Sequence, residues 1–247
     1  MSALSFDNVT VRLGAQDAIT DVSFAAERGL VALVGPNGSG KTTLLRAACG
    51  LTPLQAGAVT LDGAAVAAMP PRQRGRTIAY LPQERRAAWP MSGRALVALG
   101  RHPFAGPIRR ESEMDRAAIG RGLDAADAQG FADRNVDTLS GGERARILLA
   151  RAFAVEAPVL LADEPTAALD PAHQLSVLQA LQDQAGRGTL VLTALHDLSL
   201  AARFADRIIV MDQGRIAADG APGEALSDKI LERVFGVRRE GGALELA

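Results

Sequence analysis

Residues 35–42, "GPNGSGKT", have the composition and spacing of a phosphate-binding loop. They fit the pattern G-x-x-x-x-G-K-[ST] and lie between the apolar run "LVALV" and a segment with helical periodicity. Glycines let successive backbone amides turn toward phosphate oxygens, Lys41 can neutralise β- and γ-phosphates, and the Thr42 hydroxyl can ligate Mg²⁺. A glycine-rich turn with a solvated lysine is the alternative. The pattern predicts nucleoside triphosphate binding without separating kinases, GTPases and ATPases. The residues of this predicted site are Gly35, Pro36, Asn37, Gly38, Ser39, Gly40, Lys41, Thr42 and Thr43.

A second stretch, "VLLADEPT", places two carboxylates after an apolar strand. Asp163 would stand at the carboxyl end of that strand, where α/β sheets bind ligands, and could hold Mg²⁺ directly or through water. Glu164 must point elsewhere because successive strand side chains alternate, and it could polarise an attacking water. An acidic turn capping the strand is the alternative. With a phosphate loop in the same chain, the pair indicates hydrolysis.

The third stretch, "LSGGE", precedes the helical run "RARILLARAFA". Ser140 and Glu143 have the spacing of a capping box, which starts a helix. Gly141 and Gly142 fall in the first turn, where each costs roughly 1 kcal/mol relative to alanine. Two bare amides at the positive end of a helix indicate that an anion approaches closely there.

The elements that must position these residues alternate between strand and helix. The segments "LSFDNVTVRL" and "AITDVSFAA" predict an antiparallel sheet, and "LVALV" predicts a buried strand followed by a helix over about 41–49. Short strands are expected near Val59 and at "TIAYL", then a helical insert from about Glu84 to Thr138. Further helices alternate with the strands "APVLLAD", "TLVLTAL" and "RIIVM", as in a parallel sheet with crossover connections.

Composition restricts the class of protein. The 247 residues carry a net charge of −1, which gives no electrostatic basis for nucleic-acid binding. The single cysteine, Cys49, excludes an internal disulfide and suits a reducing compartment. Asp7 interrupts any apolar leader, and no apolar run reaches the ~18 residues needed to span a bilayer. We therefore expect a soluble chain without a signal peptide that serves a membrane only through partners.

Together, the phosphate loop, "LSGGE" and "VLLADEPT" resemble the nucleotide-binding subunits of ABC transporters. The resemblance extends over nearly the whole chain and implies an α/β P-loop NTPase core with an N-terminal antiparallel β subdomain and an inserted α-helical subdomain. It implies one ATP-binding domain over 1–247, with the helical signature subdomain at approximately 84–140.

The same resemblance assigns further roles. "YLPQ" is similar to the Q-loop, in which Gln83 links the metal and the attacking water to the helical subdomain. "AALD" resembles the D-loop, with Asp170 at a dimer seam, and His196 in "TALHD" matches a switch histidine that contacts the γ-phosphate. The implied catalytic residues are Glu164, His196 and Gln83, and the implied Mg²⁺ ligands are Thr42, Gln83 and Asp163.

The family resemblance also implies partners. Two copies of the chain would hold two Mg·ATP head to tail, with the signature residues Ser140, Gly141, Gly142 and Glu143 acting on the ATP of the other copy. Two membrane permease subunits and, indirectly, a periplasmic or surface substrate-binding protein would complete the assembly. The chain would then lie peripherally on the cytoplasmic face of the inner membrane.

Several shorter segments resemble the importer ATPases for iron–siderophore complexes, haem and cobalamin. They are "RGRTIAYLPQ", "ALVALGRHPF", "LDPAHQ" and "VFGV", the last similar to a closing helix. These segments do not decide among the three cargoes. Soluble ABC ATPases of DNA repair or of translation are the alternative, although the former have very long coiled coils and the latter usually two cassettes. Intact Lys41, Asp163, Glu164 and His196 oppose a third alternative, a regulatory module without hydrolysis.

One departure from the family pattern lies at the adenine contact. Leu13 stands where many relatives place an aromatic residue that stacks on adenine, so it offers apolar contact without a π-face.

Trp89 is either an ordinary surface aromatic or a permease contact. A permease helix is expected against the segment 83–104, with the apolar run 96–99 among the residues lining it. His102 and His173 have no neighbours at metal-ligand spacing, so we expect no metal site there.

Overall fold

The computed structural model describes residues 3–83, 90–105, 111–240 and 243–246. Its strands are β1 Leu4–Leu13, β2 Gln16–Ala26, β3 Leu30–Val34, β4 Ala56–Leu61, β5 Ala64–Ala65, β6 Ile78–Leu81, β7 Val159–Asp163, β8 Leu190–Ala194, β9 Arg207–Asp212, β10 Arg215–Gly220, β11 Val237–Glu240 and β12 Ala243–Leu246. Its α-helices are α1 Lys41–Ala48, α2 Pro71–Thr77, α3 Gly93–Ala98, α4 Glu113–Ala125, α5 Gly141–Phe153, α6 Pro171–Gly186, α7 Leu198–Phe204, α8 Pro222–Ala225 and α9 Asp228–Ile230. Short 3₁₀ turns occupy Val66–Ala68, Leu99–Phe104, Gln129–Phe131 and Val136–Thr138, and a π-helical turn occupies Leu231–Phe235. The α/β class is confirmed.

The chain divides into two compact units, and the first consists of 1–68 and 190–247. Its N-terminal part is the predicted antiparallel sheet, in the strand order β2-β1-β4-β5. Along β1, Leu4 and Phe6 are buried at alternate positions, and after a register shift the buried positions continue at Val9 and Val11. The ring of Phe6 stacks on that of Phe24 with centroids 4.3 Å apart. This sheet confirms the N-terminal β subdomain.

A second group of strands in the first unit supports the phosphate loop. Strand β3 pairs in parallel with β8 on one side and with β9 on the other. All five residues of β3 are buried, which suits a strand covered on both faces. Strand β10 pairs antiparallel with β9, and β11 pairs antiparallel with β12; these two pairings were not predicted. The "VFGV" segment is helical only to Phe235, because Gly236 takes a left-handed conformation before β11.

The second unit consists of 69–189. It contains the parallel pair β6 and β7 together with helices α2 to α6. Helix α5 packs against α3 and α4, and its approach to them is close. A Cβ on Gly93 would lie 2.7 Å from the Ile147 side chain, and one on Gly122 would lie 2.6 Å from the Ala150 carbonyl oxygen. The unit includes the stretch 84–140, but those bounds for a helical subdomain stay a prediction.

Candidate functional site

The phosphate loop connects β3 to α1 and takes its shape from glycine. Gly38 and Gly40 have φ of 80° and 102°, a region that side chains with a Cβ rarely adopt. Gly35 has no room for a side chain, since a Cβ there would overlap the Met211 carbonyl and lie 2.7 Å from Ser39 Oγ. Left-handed residues interspersed in a short loop turn successive amides inward, as a nest for an anion. The predicted loop therefore has the backbone geometry that phosphate requires.

Charge and polarity inside the loop also suit an anion. Lys41 is 5 % exposed, and its ammonium donates hydrogen bonds to the carbonyl oxygens of Gly35 at 2.8 Å and Pro36 at 3.0 Å. Ser39 is buried as well, and its hydroxyl has no hydrogen-bond partner among the described residues. A buried hydroxyl without a partner costs about 1–3 kcal/mol. A phosphate oxygen would satisfy it, so the loop fits the triphosphate that the sequence predicted.

His196 follows the strand next to β3. The register of β3 and β8 pairs Leu33 with Ala194, and the Leu195 amide donates to the Leu33 carbonyl at 2.9 Å. The carboxyl ends of these parallel strands therefore lie side by side, one leading into the phosphate loop and the other to His196. His196 is exposed, and α7 begins beyond it with Asp197 as N-cap. Its role at a γ-phosphate stays a prediction.

Leu13 ends β1 in the first unit. Its side chain is 52 % exposed, although exposed large apolar residues are few among those described. An exposed leucine offers apolar surface to a ligand but no ring for stacking. Its contact with adenine stays a prediction.

The two carboxylates lie in the second unit, at the end of β7. Asp163, the last residue of the strand, is 1 % exposed, and the Tyr80 hydroxyl donates to its Oδ2 at 3.3 Å. Glu164 is 9 % exposed and has φ of 49°. The left-handed backbone at Glu164 shows that this residue stands in a turn just beyond the strand that ends at Asp163. A non-glycine residue in this region costs about 1–3 kcal/mol and is typical of functional sites.

Gln83 contacts Glu164 directly. Strands β6 and β7 pair Leu81 with Ala162, which brings their following residues together. The Gln83 side-chain amide donates to Glu164 Oε2 at 2.6 Å. This bond orients the carboxylate, and the structure thus joins two residues that were predicted separately.

Tyr80 was missed by the sequence reasoning, although "YLPQ" was singled out for Gln83. The sequence predicted both "TIAYL" and "APVLLAD" as strands, but it did not predict that the two are neighbours in one sheet. If the two strands are neighbours, a tyrosine near the end of one can reach the acidic end of the other. The separation of 83 residues between Tyr80 and Asp163 hid this contact.

The start of α5 is the predicted capping box. Ser140 Oγ accepts the Glu143 amide at 3.3 Å, and Glu143 Oε2 accepts the Ser140 amide at 2.8 Å. Arg134 donates to the other Glu143 oxygen at 2.7 Å. The Ser140 amide first, and then the Arg134 guanidinium, hold the pKa of the Glu143 carboxyl below its usual range. The box fixes the helix start, and both oxygens of Glu143 accept hydrogen bonds within the same chain.

The two glycines of the signature differ in their surroundings. A Cβ on Gly141 would meet nothing within 4 Å, so this position is open. A Cβ on Gly142 would overlap the imidazole of His173, at 2.6 Å from Nε2 and 2.7 Å from Cγ. We expected both glycines to serve an approaching anion. At Gly142 the absence of a side chain is also explained by the His173 ring of the same chain.

Asp170 is the N-cap of α6. Its Oδ1 accepts the His173 amide at 3.0 Å, and its Oδ2 lies 2.7 Å from His173 Nδ1. The His173 amide first, and then its ring, lower the pKa of the Asp170 carboxyl. Asp170 is nevertheless exposed, so one side of the predicted D-loop remains open.

Comparisons with known proteins decide the family. The profile described as ABC transporter matches residues 19–167. The chain belongs to the ABC transporter family. It is an ATPase of the ABC type, as the resemblance implied, and its strands and helices form the predicted ABC core.

Individual ABC proteins match most of the chain. The hemin import ATP-binding protein HmuV of Rhodococcus jostii is 42 % identical over 94 % of this chain and 80 % of its own length. The cobalamin import ATP-binding protein BtuD of Halobacterium salinarum is 40 % identical over 95 % of this chain and 59 % of its own length. Among solved structures, the dimeric MJ0796, a bacterial ABC transporter cassette, has a TM-score of 0.79 at 27 % identity, covering 89 % of this chain and 98 % of that one.

Proposed function

We propose that this chain is the ATP-hydrolysing subunit of an importer for an iron–siderophore, haem or cobalamin type of substrate. The observation that carries the proposal is identity of 40 % or more to hemin and cobalamin import ATP-binding proteins over at least 94 % of the chain. The permeases would be separate chains, as the resemblance to importer ATPases implies. In the described residues no helix is long and apolar enough to cross a membrane. The subunit would bind them on the cytoplasmic face of the membrane.

In this proposal the predicted site residues carry out the ATP chemistry as follows. The loop 35–42, with Thr43, binds the triphosphate through its amides and Lys41, and Leu13 contacts adenine. Thr42, Gln83 and Asp163 would hold Mg²⁺, and their oxygen donors are the kind that ion prefers. Bound Mg²⁺ neutralises charge on the phosphates.

Glu164 is the proposed general base. Its buried carboxylate accepts a hydrogen bond from the Gln83 side-chain amide, which orients it, and a carboxylate so oriented can take the proton of a water. His196 would hold the γ-phosphate during transfer. Proton movement is therefore assigned to Glu164 and positioning to Gln83 and His196.

The functional assembly would be a head-to-tail pair of chains with two ATP molecules between them. The Ser140 cap and the open Gly141 position support this part of the proposal, as does similarity to a cassette solved as a dimer. An N-terminus of a 13-residue helix attracts phosphate through its free amides and its dipole. Asp170 would lie at the seam between the two copies.

The transport function is tested by purifying the chain from detergent-solubilised membranes and reconstituting it with the permease that accompanies it. We expect ATP-dependent uptake of one of three supplied cargoes: haem, a ferric siderophore or cobalamin. Uptake should stop with Lys41→Ala, because the phosphate loop then lacks its cation. Recovery of the chain with nucleic-acid repair proteins or ribosomes, and without a permease, would contradict the proposal.

Coupling to the permease is assigned to the segment 83–104, and the structure narrows the residues concerned. Trp89 lies outside the described residues. Leu96 and Val97 are buried, at 3 % and 0 % exposed, so the expectation that the whole apolar run 96–99 lines a groove is wrong. Leu99 is 40 % exposed and remains the candidate contact.

We expect Leu99→Glu to lower uptake at least about tenfold, the scale of losing a contact in a buried interface core, while ATP hydrolysis by the isolated subunit stays near the parent value. Met114→Glu is the matched control, because Met114 is 76 % exposed on α4, outside the assigned segment. Uptake and complex formation are measured together for both variants. Equal transport by the two would remove Leu99 from the interface.

A further inference from the structure

The imidazole of His173 links the start of α5 to the start of α6. One face of the ring fills the space where Gly142 would carry a side chain, and Nδ1 lies 2.7 Å from Asp170 Oδ2. The ring is therefore held between the signature loop and the D-loop. A metal role for this histidine is not needed to explain its position.

This arrangement exceeds what helix capping requires. Asp170 caps α6 with Oδ1, which accepts the His173 backbone amide at 3.0 Å, and any residue at 173 other than proline could donate this bond. The second carboxylate oxygen bonds the ring specifically. The close contact with Gly142 likewise depends on the ring, because a smaller side chain would leave a gap beside α5.

We propose that His173 is a positioning residue for the shared ATP site: it holds the signature loop and the D-loop in one fixed relation, so that both meet the partner copy together. The inference rests on the proposed ATP-bound dimer. It also gives Gly142 a different purpose from Gly141. The missing side chain at 142 makes room for the imidazole of the same chain, whereas position 141 is open.

The test is suppression of one substitution by another in the full chain. Gly142→Ala should lower ATP hydrolysis at least about tenfold, because the new methyl group displaces the ring. Adding His173→Ala should relieve the overlap, so that Gly142→Ala/His173→Ala recovers to within about threefold of His173→Ala alone, the non-additivity expected of residues in contact. Gly120→Ala is the matched control, since Gly120 lies in α4 and a Cβ there meets nothing within 4 Å.

A second measurement separates positioning from folding. In a Glu164→Gln background, His173→Ala should raise the ATP concentration that half-saturates dimer formation by about tenfold. Binding of a fluorescent ATP analogue to the dilute monomer should change less than about twofold, because the phosphate loop is untouched. Melting temperatures of all variants are recorded, and His173→Ala alone suffices if Gly142→Ala does not fold.

The outcomes distinguish this inference from the function on which it rests. If the Glu164→Gln parent does not dimerise with ATP, the proposed ATP sandwich is rejected, and the role of His173 with it. If the parent dimerises but His173→Ala dimerises equally well, only the role of His173 is rejected. A double variant that stays more than about threefold below His173→Ala would show that the methyl group obstructs the partner's phosphate instead of the ring, which also overturns the inference.

Discussion

Replacing Glu164 with glutamine should preserve Mg·ATP binding and lower ATP turnover by roughly 10²- to 10⁴-fold. Glutamine keeps the size of the side chain, and its carbonyl oxygen can still accept the 2.6 Å bond from Gln83. It cannot take a proton from water. The loss corresponds to about 3–5 kcal/mol of transition-state stabilisation. The ATP-bound dimer should then accumulate, because hydrolysis is the step that opens it.

Single-turnover hydrolysis, nucleotide affinity and size-exclusion chromatography with ATP check this result. Glu156→Gln is the matched control: Glu156 pairs with Arg121 at 2.7 Å, and its side chain is 42 % exposed. Loss of such a surface pair costs about 0–1 kcal/mol of stability and should leave turnover near the parent value. Near-normal hydrolysis by Glu164→Gln would remove this residue from the chemistry.

Ser140→Arg should abolish ATP-driven closure while leaving ATP binding at the chain's own phosphate loop nearly unchanged. A guanidinium would occupy the space proposed for the partner's γ-phosphate. Lys41→Ala has the opposite defect, with a sound signature and a damaged phosphate loop. Mixing the two variants creates heterodimers in which one composite site carries both lesions and the other carries neither. ATP hydrolysis should reappear on mixing, through the intact site.

The structure shows that Ser140 also caps α5, so its substitution carries a stability cost of about 1 kcal/mol. Ser112→Arg is the control for that cost. Ser112 caps α4 in a capping box of the same kind, in which it accepts the Asp115 amide at 3.1 Å. Both variants should melt at lower temperature, and only Ser140→Arg should lose hydrolysis that Lys41→Ala restores. Equal hydrolysis by the two, or no recovery on mixing, would contradict a site shared between chains.

The sequence alone was sufficient for features that depend on neighbouring residues. The alternation along β1 and β2, the buried run of β3, the phosphate loop and the Ser140 capping box are each specified within about a dozen residues, and the structure contains all four. These features depend on hydrogen bonds and side-chain burial among residues close in sequence. Such contacts follow the repeat of a helix or a strand, or the fixed spacing of a helix cap. The order of the motifs along the chain also indicated the ABC transporter family, and the comparisons confirmed it.

Tertiary structure decided which of these residues meet. The pairing of β6 with β7 joins Gln83 to Glu164 across 81 residues and brings Tyr80 to Asp163. The periodicity of a single segment does not indicate which strands are neighbours or in which register they pair, because strand pairing depends on how the whole core packs. The identity of Glu164 as an acid was visible in the sequence, and the amide that orients it was not.

The contact between Gly142 and His173 shows the same limit most clearly. A glycine in the first turn of a helix indicates that something approaches its backbone, but the sequence cannot say whether this is a ligand or another part of the chain. Packing of α6 beside α5 supplies the imidazole at Gly142 and leaves Gly141 open. Backbone propensity is a property of one residue, whereas the space beside it is created by residues distant in the chain, and only the folded structure defines that space.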